Sequence, residues 1–383
     1  MRRSCAIIGA GPAGSTAGAL LARARWRVDI FEKSRFPRAK VCGEFISPAA
    51  TDLLESLICA RELEGLGAQR CAGVAIEAGG REVRWRLPRA GWALSRGALD
   101  AALLARAAEA GARVHSPAIV RAVRYEADGV VVVADGAPDG GECAAGGAGR
   151  RERFELRADI VIHADGFGRH DPAGCVPVDT RLVAFKRHFR RAAEPGVVRL
   201  RSQAGAYIGF IDVEGGLSTC AWVARRSAAG RVAPRAPAGV ARSRPEDEGA
   251  PAGGRGYPLL ACPMARSGYI APGHVRSFRI GNAAAAVDPV GGEGIGLALW
   301  SAATLAGLLA EAEPDGDALR HVQRQFGRLY RARLRTRLPA CRLAAETLMR
   351  PRLAGAVRPA LELGAIGPWS RLTGKPGRAA PAP

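Results

Sequence analysis

Apolar positions along this chain repeat with two different periods, and the switches between them mark out its elements. Cys5 to Ile8 is a continuous apolar run, the pattern of a strand buried on both faces. Pro12 to Arg23, rich in Ala and Leu, predicts a helix whose first turn holds a proline, where the missing N–H costs nothing. Arg27 to Phe31 alternates and predicts a second strand, ending at Glu32. Ser47-Pro48 predicts the cap and first turn of a helix through Leu57. Gly73 to Ala78 and Glu82 to Leu87, joined by Gly79-Gly80, predict a hairpin. An amphipathic helix over Gly97 to Ala110, closed by Gly111, buries Leu99, Leu103 and Leu104. Strands over Ile119 to Tyr125 and Val130 to Ala134 bracket Asp128-Gly129, and Ala158 to His163 predicts another. Alternation at Leu182 to Phe189, Val197 to Leu200, Ala206 to Ile211 and Leu217 to Val223 predicts an antiparallel sheet. Tyr257 to Met264 and Ser277 to Ile280 add strands, and Ile295 to Ala310 predicts a buried helix. From Asp315 onward the pattern is helical and Arg-rich, broken at Pro339 and Pro351.

Two stretches lack any period. Gly136 to Gly149 is a Gly/Ala loop, and residues 224–256 carry so few large apolar side chains that a low-complexity loop is expected there. With 383 residues and 48% hydrophobic content the chain can bury a large core. A formal charge of +20 raises nucleic acid as a partner, but the excess is arginine spread along the chain without interleaved aromatics, so no nucleic acid is expected. The nine cysteines include no Cys-x-x-Cys pair, which suits reduced thiols in a cytoplasmic protein better than zinc or disulfides. Met1-Arg2-Arg3 before an apolar run imitates a signal peptide, yet the same residues form the first strand and turn. The apolar helix near residue 300 is too short for a comfortable bilayer span, so no integral membrane segment is expected.

The chemistry lies in the glycines. Gly9, Gly11 and Gly14 follow the first strand at Gly-x-Gly-x-x-Gly spacing. The first allows a tight turn, the second lets a pyrophosphate approach the backbone, and the third lets helix and sheet pack closely. The helix then aims free N–H groups and partial positive charge at the diphosphate. Glu32, at the end of the second strand, can accept from both hydroxyls of an adenosine ribose. A second glycine-rich run, Gly281 to Gly296, precedes the buried helix and repeats the logic. His163, among buried neighbours, reads as a core imidazole.

Four marks in this order resemble the flavoprotein family of para-hydroxybenzoate hydroxylase, geranylgeranyl reductases and flavin-dependent halogenases. They are Gly9 to Gly14, Glu32, Ala164-Asp165-Gly166, and Gly281-Asn282-Ala283-Ala284 through Pro289 to Gly294-Ile295. Lys40-Val41-Cys42-Gly43-Glu44 and Leu372-Thr373-Gly374 resemble the geranylgeranyl-reductase-like branch, in which the chain looks like oxidoreductases found beside polyketide pathways. The resemblance implies FAD held by Gly9, Gly11, Pro12, Ala13, Gly14, Glu32, Lys33, Lys40, Cys42, Gly43, Arg96, Val120, Asp165, Gly166, Asn282, Pro289, Gly294, Ile295 and Gly296. Asn282 stands where most of the family has Asp, so its ribityl contact lacks charge assistance. The halogenase Trp-x-Trp-x-Ile-Pro signature is absent, which disfavours halogenation.

The expected architecture is α/β (α+β): a Rossmann-like FAD-binding domain with an inserted antiparallel-sheet substrate domain and C-terminal helices. The FAD-binding parts are 1–72, 94–175 and 271–312; the substrate domain takes 73–93 and 176–270; 313–383 form a helical layer and tail. The expected function is an NAD(P)H-driven, FAD-dependent monooxygenase of a hydrophobic small molecule, with O2 as cosubstrate and secondary metabolism as a candidate setting. Cys42, Glu44 and Tyr207 are the candidates for lining its pocket. The rivals are a reductase saturating C=C bonds, for which Cys42-Gly43 speaks, and a non-enzymatic or RNA-associated flavoprotein. No catalytic residue, metal ligand or oligomeric state is assigned.

Overall fold

A computed structural model describes residues 3–137, 152–190, 194–232, 257–365 and 380–381. The opening apolar run is β1 (Ser4–Ile8), buried throughout, followed by α1 (Pro12–Arg23) and β2 (Arg27–Phe31). Next come β3 (Phe45–Ile46), α2 (Thr51–Glu55), α3 (Ala60–Gly65), β4 (Gln69–Ala78) and β5 (Arg81–Ala93). Gly79 and Gly80, between those two strands, take φ of +61° and +75°, the conformation that matches a hairpin turn to strand twist. Then follow α4 (Arg96–Glu109), β6 (Arg113–His115), β7 (Ile119–Tyr125), β8 (Val130–Gly136), β9 (Glu152–Ala158) and β10 (Ile160–His163). β11 (Val178–Arg190), β12 (Val197–Gln203), β13 (Ala206–Asp212), β14 (Leu217–Arg225) and β15 (Leu260–Ala265) are the long strands of the second half. β16 (Gly268–Tyr269), β17 (Ser277–Arg279), β18 (Ala285–Ala286), α5 (Gly294–Ala310), α6 (Gly316–Leu348) and α7 (Pro351–Ala360) complete the principal elements.

Five strands make a parallel sheet in the order β17-β10-β1-β2-β6, the doubly wound pattern in which sites form at the carboxyl ends of the strands. One core fills the space between this sheet and α1, α4, α5 and the first half of α6. The second sheet runs β15-β11-β14-β13-β12-β4-β5 and is antiparallel except where β12 pairs with β4. Its inner face contributes Ile76, Leu200, Tyr207 and Val223 to another core, closed by Cys341, Ala345 and Leu348 of α6. β7, β8 and β9 form a separate three-stranded antiparallel sheet.

The structure corrects several expectations. The strand read as Ala158 to His163 is two: Asp159 interrupts it by accepting from Ser4 N–H at 2.6 Å, and β9 and β10 belong to different sheets. The loop expected over 224–256 begins later. Ala224 still pairs within β14, and Ala228 and Val232 are buried against Phe210 and Trp222, so small apolar residues suffice to order 224–232; residues 233–256 lie outside the described residues. The segment read as one helix through Leu57 is a 3-10 turn at Pro48–Ala50 and then α2, and the Ser47 side chain makes no cap bond. Pro339 does not end α6, which runs 33 residues through it; Pro351 opens α7 instead. Gly136, read as the start of the Gly/Ala loop, is the last residue of β8. The rest of that loop from residue 138 onward, and Leu372-Thr373-Gly374, fall outside the described residues.

Candidate cofactor and substrate site

The glycine turn is built as the spacing demands. Gly9 takes φ of +100°, which only a residue without Cβ adopts freely, and its N–H donates to the Phe31 carbonyl at 2.7 Å. A Cβ on Gly14 would lie 1.8 Å from the Gly9 carbonyl oxygen, so helix and strand are in direct backbone contact. Gly11 differs. A Cβ there would meet only the ends of two side chains, Arg96 Nη2 at 3.7 Å and Arg38 Nη2 at 3.8 Å. Gly11 is also the N-cap of α1 and gives no side-chain cap, so first-turn N–H groups of the helix point toward the same space as the two guanidinium groups.

Glu32 is buried, and its carboxylate accepts from Ala10 N at 3.0 Å, from Ser34 N at 2.9 Å and from Arg38 at 3.4 Å. Arg96 forks onto Asp100 with two bonds of 2.7 Å, close to the Cys42 sulfur. The sequence alone does not single out Asp100; it sits one helical turn after Arg96 on α4 and fixes the direction of that side chain.

The segment from Cys42 to Ala50 connects the two glycine constellations. Cys42 is half-buried, and its sulfur accepts from Glu44 N at 3.3 Å. Gly43 is exposed, with open space where a Cβ would stand. The Phe45 ring lies against Gly292, whose φ is +64°. Ala50 and Ser47 approach a Cβ position on Gly296 at 3.2 and 3.7 Å, and the buried Ser47 hydroxyl has no partner. Gly294, which opens α5, is exposed with nothing within 4 Å of a Cβ position, while Ile295 and Gly296 are buried. Asn282 and Pro289 are exposed.

Glu44, expected to line the pocket, is instead fully buried and saturated. One oxygen accepts from Lys186 and from Arg96 N at 2.7 Å; the other accepts from Thr219 and lies 2.9 Å from His188 Nε2. Four partners meet the four acceptor positions of a carboxylate. Burial alone would raise the Glu44 pKa, but the His188 hydrogen bond and the Lys186 charge carry it down to about 2. Its backbone is left-handed at φ of +57°, an uncommon conformation for a residue with a side chain. Lys186, His188 and Thr219 alternate on one face of paired strands, a pattern visible in sequence only once the register β11 to β14 is known.

Tyr207 is buried, and its hydroxyl donates to Asp288 Oδ1 at 2.6 Å, tying the sheet to the turn before α5. Burial raises both the Tyr207 and the Asp288 pKa. Asp165 caps its own turn, accepting from Gly168 N at 3.1 Å, with Gly166 at φ of +82° facing open space. Val120 is buried beside Ile8 and Phe31, near the carboxyl end of β2. Lys33 and Lys40 are exposed, and Lys40 lies near enough to Arg38, Glu32 and Arg96 to feel their charges, its pKa lowered first by partial burial and then by Arg38.

The profile of an NAD(P)-binding Rossmann-like domain matches residues 7–40. Among solved structures, a geranylgeranyl bacteriochlorophyll reductase-like protein from Thermoplasma acidophilum superposes with a TM-score of 0.72 at 18% identity, over 94% of this chain and 92% of that one. The fold is that of the FAD-dependent oxidoreductases. The resemblance carried by the glycine motifs is borne out. Kynurenine 3-monooxygenase from Stenotrophomonas maltophilia is 31% identical over 185 residues, 43% of this chain and 36% of that protein. Digeranylgeranylglycerophospholipid reductase 1 from Methanothermobacter thermautotrophicus is 33% identical over 168 residues, 42% of this chain and 38% of that protein. The chain thus matches well under half the length of these curated relatives.

The residues present fit FAD. The space over Gly11 is bounded by two cations, and Arg38 Nε is buried without a hydrogen-bond partner. The unpartnered Ser47 hydroxyl and the open Gly294 mark a second polar cradle at the N-terminus of α5. Among the described residues no helix is long and apolar enough to cross a membrane.

Proposed function

We propose that the protein is an FAD-dependent oxidoreductase that hydroxylates a hydrophobic small molecule with NAD(P)H as reductant. The observation that carries this reading is the convergence of two glycine-lined helix N-termini through one segment, 42–50, beneath the apolar inner face of the second sheet. Bound there, FAD would supply hydride acceptance and oxygen chemistry. The chain's own residues bind and orient. Arg38 and Arg96 set positive charge over Gly11 for the pyrophosphate, and Glu32 retains acceptor capacity for ribose hydroxyls. N–H groups at Gly294 to Gly296 favour negative charge at the end of α5. Ala184 and Val223, on the same sheet face as Lys186 and His188, belong to the apolar core that backs the site and keeps water from that side.

Cys42 supports a second reading, a reductase of C=C bonds. Its sulfur, held by Glu44 N–H and close to Arg96, is the half-buried thiol beside the open Gly43. The test starts with purified protein and FAD. A bound-flavin visible spectrum that bleaches with NADH or NADPH, and oxygen uptake coupled to product, support hydroxylation. Anaerobic product formation favours the reductase. Protein that takes up no FAD overturns both.

A further inference from the structure

Much of the +20 charge is gathered in one stretch of the sequence, and helix geometry turns part of it to one side. Gly316–Ala360, the span of α6 and α7, holds eleven arginines against two acids, and 318–345 has no acid at all. The inner face of α6 is used up in the cores: Leu319, Val322, Phe326, Tyr330 and Leu334 in one, Cys341, Ala345 and Leu348 in the other. Arg324, Arg328, Arg335 and Arg342 therefore fall on the outer face, three of them at seven-residue spacing, and all are exposed. They carry no ion pair among the described residues.

The exposed surface of these helices is not merely polar. Of the large apolar side chains left exposed in the described residues, Leu329, Leu343, Leu353 and Leu363 lie along α6, α7 and the turn after it, with Leu343 at 69% and Leu363 at 90% exposure. Leu343 projects about 100° around α6 from Arg342, at the flank of the arginine row, and Leu353 is exposed on α7 beside the exposed Arg352. A helix of 33 residues lying flat presents a contact roughly 50 Å long.

We infer that this outer face of α6 and α7 binds the surface of an anionic lipid bilayer. Arginines interspersed with projecting leucines meet two needs of an interfacial helix: attraction to phosphate headgroups and insertion of short apolar groups at the acyl boundary. A nucleic acid would use the charge but not the leucines, and the exposed apolar set contains no aromatic on which a base could stack. A protein interface would bury a core depleted of charge, whereas here the charges lie among the leucines.

Vesicle co-sedimentation of the full chain, which requires no turnover, separates this inference from the reading of the reaction. Wild type is expected to pellet with vesicles containing phosphatidylglycerol, less at physiological than at low salt, and not with phosphatidylcholine alone. Arg328→Gln/Arg335→Gln/Arg342→Gln should weaken partitioning by about a hundredfold. The corresponding Lys substitutions should retain it, and Leu343→Ser/Leu353→Ser should remove the salt-resistant part. All sites are exposed, so unfolding midpoints should stay at the wild-type value. Equal pelleting with neutral vesicles, no pelleting with anionic ones, a Gln triple variant that binds like wild type, or preference for a random DNA duplex over anionic vesicles would each overturn the inference.

Discussion

At the scale of single residues, the buried ionisable groups dictate how stability depends on pH. Burial holds His163 down at about 4 against an ordinary 6.5. As pH falls from 6.5 toward 4 the unfolded chain takes up a proton that the folded one refuses, so stability is lost across that window. Glu44 acts lower. Its pKa of about 2, against 4.5, gives stability that is present above 4.5 and lost as pH falls toward 2. Denaturation midpoints measured from about pH 7 to 2 should therefore fall in two stages, and His163→Gln should flatten the upper stage alone. An unaltered slope between 6.5 and 4 would mean another group is responsible. Glu44→Gln should be costly at neutral pH, because Lys186 is left as a charge 2% exposed without its counter-ion. Removing one partner of such a pair destabilises by about 3–5 kcal/mol, read as a drop in the denaturant midpoint. The burial of His163 is legible in the apolar run around it, but the Glu44 cluster is not legible in the sequence. Glu44 stands out there only through its place after Cys42-Gly43, whereas its side-chain partners come from β11 and β14, 142 to 175 positions away.

At the scale of elements, the turn between β1 and α1 separates two uses of glycine. Gly11→Ala introduces a methyl that meets only side-chain ends, so the fold should persist while the approach of the pyrophosphate is filled. FAD affinity should drop by about tenfold or more, with the apo-protein's unfolding midpoint unchanged. Gly14→Ala drives a methyl into backbone, and overpacking of that kind costs about 1–3 kcal/mol. Its apo-protein should be destabilised whether or not FAD is present; the same response from both variants would contradict these separate roles. The early unit is legible because strand, glycines, helix and acid are contiguous, and each states its requirement locally. The hairpin at Gly79-Gly80 is legible for the same reason. Boundaries fail where tertiary contacts decide. Asp159 splits one apolar run because Ser4 of another strand bonds it, and Ala228 and Val232 are ordered by aromatic neighbours on β13 and β14. Pro339 reads as a break, yet α6 continues because residues on both sides of it, Leu334 and Cys341, are anchored in cores.

At the scale of the molecule, α6 decides whether the two cores are one cooperative unit. Its first half packs on the parallel sheet's core and its second on the inner face of the large sheet. Its end is hydrogen-bonded to that sheet, with Ser202 Oγ donating to the Leu348 carbonyl at 2.6 Å and Gly205 N to the Met349 carbonyl at 2.9 Å. Two further ties cross between the cores: Tyr207 to Asp288, and the Glu44 cluster linking α4 to β11 and β14. Losing either core would expose half of α6 and strand a buried carboxylate, so partial unfolding gains little chain entropy for a large loss of burial. Thermal unfolding followed by far-UV circular dichroism and by release of flavin fluorescence should therefore give coincident transitions. FAD at about a hundred times its dissociation constant should stabilise the protein by about 2.7 kcal/mol and move both curves together. Flavin released well before the helical signal is lost would show that the glycine-lined domain opens on its own, and that α6 does not couple the cores.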